Sequence, residues 1–247
     1  MTLETHLRNR RAAGRKLLMP YVTAGASPHW TDYVRAFADA GADAVEVGLP
    51  FSDPTLDGDT IQEANDVALA RGVTAEGLLD ELDGFDVPLV ASTYCNLAMG
   101  LSAERLKTAG IAALIVPDLP LEDADEITGI DLVLLASPAT PESRLADIAR
   151  RTKGFLYAVS LMGTTGERSV LATSATALAE RVKRVTDRPV LVGFGVTTPE
   201  HAVEATRVAD GVIVGAAIMR QVLDGATPKE VGGYVAKLRE AVDREAS

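Results

Sequence analysis

DAVEVGLPFSDPTLDGDT, residues 43–60, is a short alternating run that passes into a loop built on proline, glycine and aspartate. Side chains alternate across a strand, so Val45, Val47 and Leu49 face one way while Ala44, Glu46 and Gly48 face the other. The apolar face suits packing beneath helices. The opposite face then lines the inside of a closed sheet, and it carries a carboxylate between two small neighbours where branched apolar side chains are usual. An inward acid there is costly unless it is paired or used. A buried acid satisfied by a neighbouring hydroxyl or backbone N–H is one reading of Glu46; an acid that does chemistry is the other.

Outward from this run the same pattern recurs. LLMPYVTAG (17–25) precedes it, and VPLVASTY (87–94), AALIVPD (112–118), DLVLLAS (131–137), GFLYAVS (154–160), RPVLVGFG (188–195) and DGVIVGA (210–216) follow, giving eight runs. Amphipathic segments such as PHWTDYVRAFADAG, AERLKTAG, ESRLADIARR and ALAERVKRV lie between them, several closed by the glycine expected after a helix. Strand then helix, eight times in 247 residues, predicts an α/β fold of one domain spanning 1–247, a (β/α)8 TIM barrel. The rival, a doubly wound open sheet, more often shows a glycine-rich turn after its first strand, and TAGASP (23–28) has no such pattern. The longest irregular stretches, PFSDPTLDGDT and LMGTTGERSVLATSA, follow the second and sixth runs. In a barrel these are active-site positions. The loop after Glu46 brings Asp53, Asp57 and Asp59 to the mouth, and any one of them could work opposite it, although each is also an ordinary solvated loop residue.

A formal net charge of -11 sets the chain against phosphate backbones and anionic lipid. Neither nucleic acid nor membrane is an expected partner. A small phosphorylated ligand remains compatible, because backbone N–H groups at a helix N-terminus hold phosphate without much help from lysine or arginine. Glycine-containing segments fall where a barrel builds such a site, after the sixth to eighth runs: Gly166, Gly193, Gly195 and Gly215 would let the backbone approach an oxyanion. The lone Cys95 and the scattered His6, His29 and His201 have no metal-ligand spacing, so no metal is expected. The first sixteen residues lack the apolar run of a signal peptide, and a cytoplasmic location is the expectation.

Read together, EVGLPFSDPTLDGDTIQEAN (46–65), MPYVTAG, TYCN (93–96), VPDLP (116–120), FLYAVS with its following G-x-T-G, and GFGV closely resemble the tryptophan synthase alpha chain. That resemblance implies retro-aldol cleavage of indole-3-glycerol phosphate to indole and glyceraldehyde 3-phosphate without a cofactor. It makes Glu46 the acid/base and Asp57 the group that stabilises charge on the indole ring. Tyr21, Tyr94, Asp118 and Tyr157 become substrate-side residues, with Gly166, Gly193, Gly195, Gly215 and Ala216 toward the phosphate. Asp53, Asn96 and Pro120 become part of a surface for a tryptophan synthase β subunit in an α2β2 heterotetramer. Four positions depart from the commonest pattern: Ala216 replaces a frequent serine, Leu161 an arginine, Asp59 a proline and Tyr21 a phenylalanine. A stand-alone indole-releasing lyase, a non-catalytic phosphate-ligand sensor and a sugar-phosphate epimerase or isomerase are the competing readings.

Overall fold

The computed structural model describes residues 1–159, 168–193 and 195–245. Eight parallel strands close into a barrel in chain order: β1 (Leu17–Thr23), β2 (Val45–Gly48), β3 (Leu89–Ser92), β4 (Ile111–Ile115), β5 (Asp131–Ala136), β6 (Leu156–Val159), β7 (Val190–Gly193) and β8 (Gly211–Val214). Each lies within one of the eight runs, apart from β4, which starts one residue early. The helices are α1 (Leu3–Ala12), α2 (Trp30–Asp39), α3 (Asp59–Ala70), α4 (Ala75–Asp80), α5 (Cys95–Ala98) and α6 (Ala103–Thr108), then α7 (Glu142–Arg151), α8 (Arg168–Lys183), α9 (Pro199–Thr206), α10 (Ala216–Leu223) and α11 (Pro228–Glu245). Gly41 and Gly110, at φ +87° and +79°, take the left-handed conformation that ends α2 and α6.

Two apolar layers follow from the strand alternation. Val45, Val47 and Leu49 pack outward against the helices together with Val34, Phe37 and Leu78. Ala44 belongs instead to an inner cluster with Leu17, Met19, Val90, Ala113, Phe155 and Leu191, which fills the lower lumen. Leu3 and Leu7 of α1 join this inner cluster, so α1 floors the barrel at the N-terminal ends of the strands. Burying each of these two leucines contributes on the order of 1.5–3 kcal/mol.

Two buried carboxylates tie the floor together. Asp43 accepts hydrogen bonds from the Leu18 N–H at 2.9 Å, Arg15 Nε at 2.8 Å and Arg239 Nη1 of α11 at 3.0 Å. Asp210 accepts from the Val190 N–H at 2.9 Å, Arg11 of α1 at 3.2 Å and Lys183 of α8 at 2.6 Å. Removing one partner of such a group costs several kcal/mol, since it leaves charge behind in a dry site. With its floor sealed, the barrel opens toward the C-terminal ends of its strands, where residues of the loops after β2, β3, β7 and β8 line the cavities.

Candidate active site

Glu46 pairs laterally with Tyr21 on β1 and Val90 on β3, which holds its side chain at mid-height in the lumen. It is only 5% exposed, and its Oε2 has no hydrogen-bond partner among the described residues. Burial pushes its pKa up to about 7; the neighbouring Ser92 hydroxyl favours the charged form, and the Asp57 charge opposes it. The inward carboxylate read from the alternation is therefore present, and one of its oxygens is unused.

Asp57 descends from the loop between β2 and α3, and three contacts fix it. The Tyr94 hydroxyl donates to Asp57 Oδ2 at 3.1 Å while accepting the Leu56 N–H at 2.9 Å. Gln62 Nε2 donates to the Asp57 carbonyl at 2.7 Å. Tyr94 in turn stacks on Phe51, with ring centroids 5.0 Å apart and planes 11° from parallel. The Phe51 N–H donates to the buried Asn65 Oδ1 at 2.9 Å, so α3 anchors the loop that carries Asp57. Asp57 is half-buried rather than solvated, and desolvation raises its pKa while the Tyr94 hydrogen bond holds it down.

Both carboxylates line one cavity of about 490 Å³, with Tyr94, Tyr157, Leu135 and Ile115 among its walls. A second compartment of about 180 Å³ shares Tyr21, Glu46, Asp57, Tyr157 and Gly193 with the first and runs on to Gly195, Gly215 and Ala216. Gly195 has φ +46°, a conformation that favours glycine. Gly215 caps α10, so the helix presents its first, intrahelically unpaired N–H groups to this compartment. The arrangement offers a dry acid, a second carboxylate in hydrogen-bond contact with a phenol, and a glycine-lined end fit for an anion.

A family model for the tryptophan synthase alpha chain matches residues 7–245. The tryptophan synthase alpha chain of Citrifermentans bemidjiense is 40% identical over 93% of both chains, and that of Gloeobacter violaceus is 43% identical over 89% of this chain and 85% of its own. The crystal structure of tryptophan synthase subunit alpha from Legionella pneumophila superposes with a TM-score of 0.88 at 31% identity, covering 99% of each chain. The chain belongs to the tryptophan synthase alpha-chain family.

Among the residues that the family resemblance singles out, the structure brings Tyr21, Tyr94, Tyr157, Gly193, Gly195, Gly215 and Ala216 to the walls of the two compartments around Glu46 and Asp57. Gly193 has a steric reason of its own: a Cβ there would collide with the Tyr157 hydroxyl, as one at Gly48 would with that of Tyr21. Asp118 is exposed and lies off the cavity wall, because its Oδ1 accepts the Cys95 N–H at 2.7 Å where α5 begins. Asp59 is not a loop residue. It stands in the first turn of α3, where the helix dipole favours its charge. Asp53 and Pro120 are exposed on the mouth loops, and Asn96 is exposed on the short helix α5. Gly166 and Leu161 lie outside the described residues. Sequence reading passed over Ser92, which supports Glu46, and Asn65, whose burial anchors the loop. It also missed Thr197, which lines the glycine end with its Oγ1 3.2 Å from His201 Nδ1. Ser92 was recoverable, since it shares the inward parity of β3; the other two depend on loop geometry.

Proposed function

We propose that this chain cleaves indole-3-glycerol phosphate to indole and glyceraldehyde 3-phosphate, a retro-aldol carbon–carbon lyase reaction. The observation that carries this reading is the buried Glu46, with a free oxygen and a pKa of about 7, sharing one cavity with Asp57. Breaking the bond between indole C3 and the side chain requires a proton at C3, removal of the proton from the adjacent hydroxyl, and stabilisation of positive charge at the ring nitrogen. Glu46 in its acid form delivers the proton to C3, and the resulting carboxylate takes the hydroxyl proton, so the residue ends in the state in which it began. A pKa near neutrality serves both halves of that shuttle. Asp57 accepts the indole N–H and stabilises the cation that forms on the ring. The ester phosphate occupies the glycine end, held by backbone N–H groups near Gly195, Gly215 and Ala216, and this remote anchorage aligns the scissile bond with Glu46. No cofactor enters these steps.

Asp53, Asn96 and Pro120 form part of a docking surface for a tryptophan synthase β subunit in an α2β2 assembly, and the protein works in the cytoplasm. Indole release assayed with and without an added β subunit tests the reaction and the partnership together. Turnover is expected alone and to rise strongly with the partner. Absence of indole under both conditions sinks the lyase reading, and equal rates sink the partnership.

Tyr94→Phe removes the hydroxyl that bonds Asp57 and leaves the Leu56 N–H without its acceptor. A drop in kcat of roughly tenfold is expected, as for losing a hydrogen bond to a charged group. Losing the donor raises the Asp57 pKa, so the acid limb of the pH–rate profile should move to higher pH. A lowered rate with an unmoved limb would mean that Tyr94 acts through packing.

A further inference from the structure

Tyr21 and Thr23 are successive inward-facing residues of β1, and their hydroxyl oxygens lie 3.0 Å apart in a buried site. Among the described residues neither hydroxyl has any other hydrogen-bond partner. Two hydroxyls carry two hydrogens, and the bond between them uses one. Whichever oxygen donates, one O–H hydrogen is left without an acceptor among the described residues. Tyr21 lines the cavity and Thr23 does not, so with Thr23 donating to the phenol oxygen the spare hydrogen is the phenol's own, on the cavity wall and suited to a ligand, since a buried donor left unmade is costly.

Its position says which part of a ligand it meets. Tyr21 lines both compartments and stands at their junction. Its Cβ packs 3.6 Å from where a Cβ on Gly215 would lie, at the glycine end. Its hydroxyl fills the space over Gly48, one inward position above Glu46. A molecule with its phosphate at the glycine end and its ring in the larger compartment must lay its connecting carbons along this phenol.

We propose that the Tyr21–Thr23 hydroxyl pair is a specificity element that donates its spare hydrogen to a hydroxyl oxygen on the glycerol chain of the substrate. This rests on the proposed reaction for the identity of the chain, and it makes the site selective for a hydroxylated three-carbon linker over a deoxygenated one.

The test compares indole-3-glycerol phosphate with indole-3-propanol phosphate, which keeps the ring, chain length and phosphate and lacks both hydroxyls. Dissociation constants are measured by titration calorimetry in the Glu46→Gln background, where turnover is blocked. Adding Tyr21→Phe is expected to raise Kd for the glycerol ligand about five- to tenfold, the range for one neutral hydrogen bond, and to leave Kd for the propanol ligand within about twofold. Thr23→Val leaves the ring untouched and should keep most of the preference, since the phenol then holds its own hydrogen. The double variant should lose it. Equal weakening of both ligands by Tyr21→Phe would show ring packing alone and overturn the assignment, as would no change in either. Indole release by the unmodified protein, measured alongside, separates the two ideas: missing turnover with the Kd pattern intact defeats the reaction, and turnover without the pattern defeats the hydroxyl pair.

Discussion

Glu46→Gln abolishes indole release while phosphate-ligand binding stays close to that of the unmodified protein. Glutamine has nearly the same shape, so Tyr21, Ser92 and the cavity wall keep their places, but the amide has no proton to deliver to C3 and no carboxylate to take one back. A steady-state indole assay paired with ligand titration reads both halves, and retention of most of the turnover would remove Glu46 from the mechanism. The same variant should be more stable than its parent at neutral pH. Glu46 has a folded pKa of about 7 against an ordinary 4.5, so the native state binds this proton more tightly than the unfolded chain. Stability therefore falls as pH rises from about 4.5 to 7 and levels off above, where the native state carries an ill-solvated charge. The full displacement corresponds to about 3 kcal/mol. Glutamine does not titrate, so the Tm advantage of the variant should be near zero at pH 4.5, grow through that window and reach several degrees by pH 8. A pH-independent Tm difference would mean that burial does not perturb this carboxyl.

Asp57→Asn should lower kcat by about 10² or more with a much smaller change in KM, since the charge is needed mainly when the ring nitrogen becomes cationic. The neutral amide can still accept a hydrogen bond from Tyr94, so the loop keeps its contacts with Phe51 and Asn65. Single-turnover kinetics on saturating substrate isolate the chemical step. Near-normal rates there would assign the stabilisation of the ring to some other group. In the unmodified protein the two carboxylates also separate by pH: Asp57 serves as an anion and loses its role as pH falls, whereas Glu46 starts as an acid and loses its role as pH rises past about 7.

What the chain discloses in one dimension is whatever depends on period. The eight apolar runs became eight strands, and the alternation in DAVEVGL was enough to send Val45 and Val47 to the helices and Glu46 to the lumen. What it withholds depends on where loops from different strands meet. Nothing near Asp57 in sequence announces that its environment is set by Tyr94, 37 positions away, or that Asn65 holds the stacked Phe51 in place. For the same reason a pattern of residue types could not tell a solvated Asp57 from a desolvated one. Asp118 shows the converse limit. Its motif marks it as substrate-side, and the motif does not announce that the carboxylate accepts the Cys95 N–H at the start of a short helix. In the sequence Gly48 reads as a small inward neighbour of Glu46 and Gly193 as an approach to an oxyanion, and only lateral register reveals that each clears room for a tyrosine on the adjoining strand.

The sealed floor also sets an order of events during synthesis. β1 needs β8 as its lateral partner, and the Asp43 carboxylate, 1% exposed in the finished protein, receives one of its guanidinium partners from residue 239. A nascent chain that has released its first two hundred residues thus has two unpaired sheet edges and an acid still in contact with water. Closure waits for β8 to leave the ribosome, and a message truncated before that strand would yield an open, adhesive sheet instead of a slightly weakened enzyme.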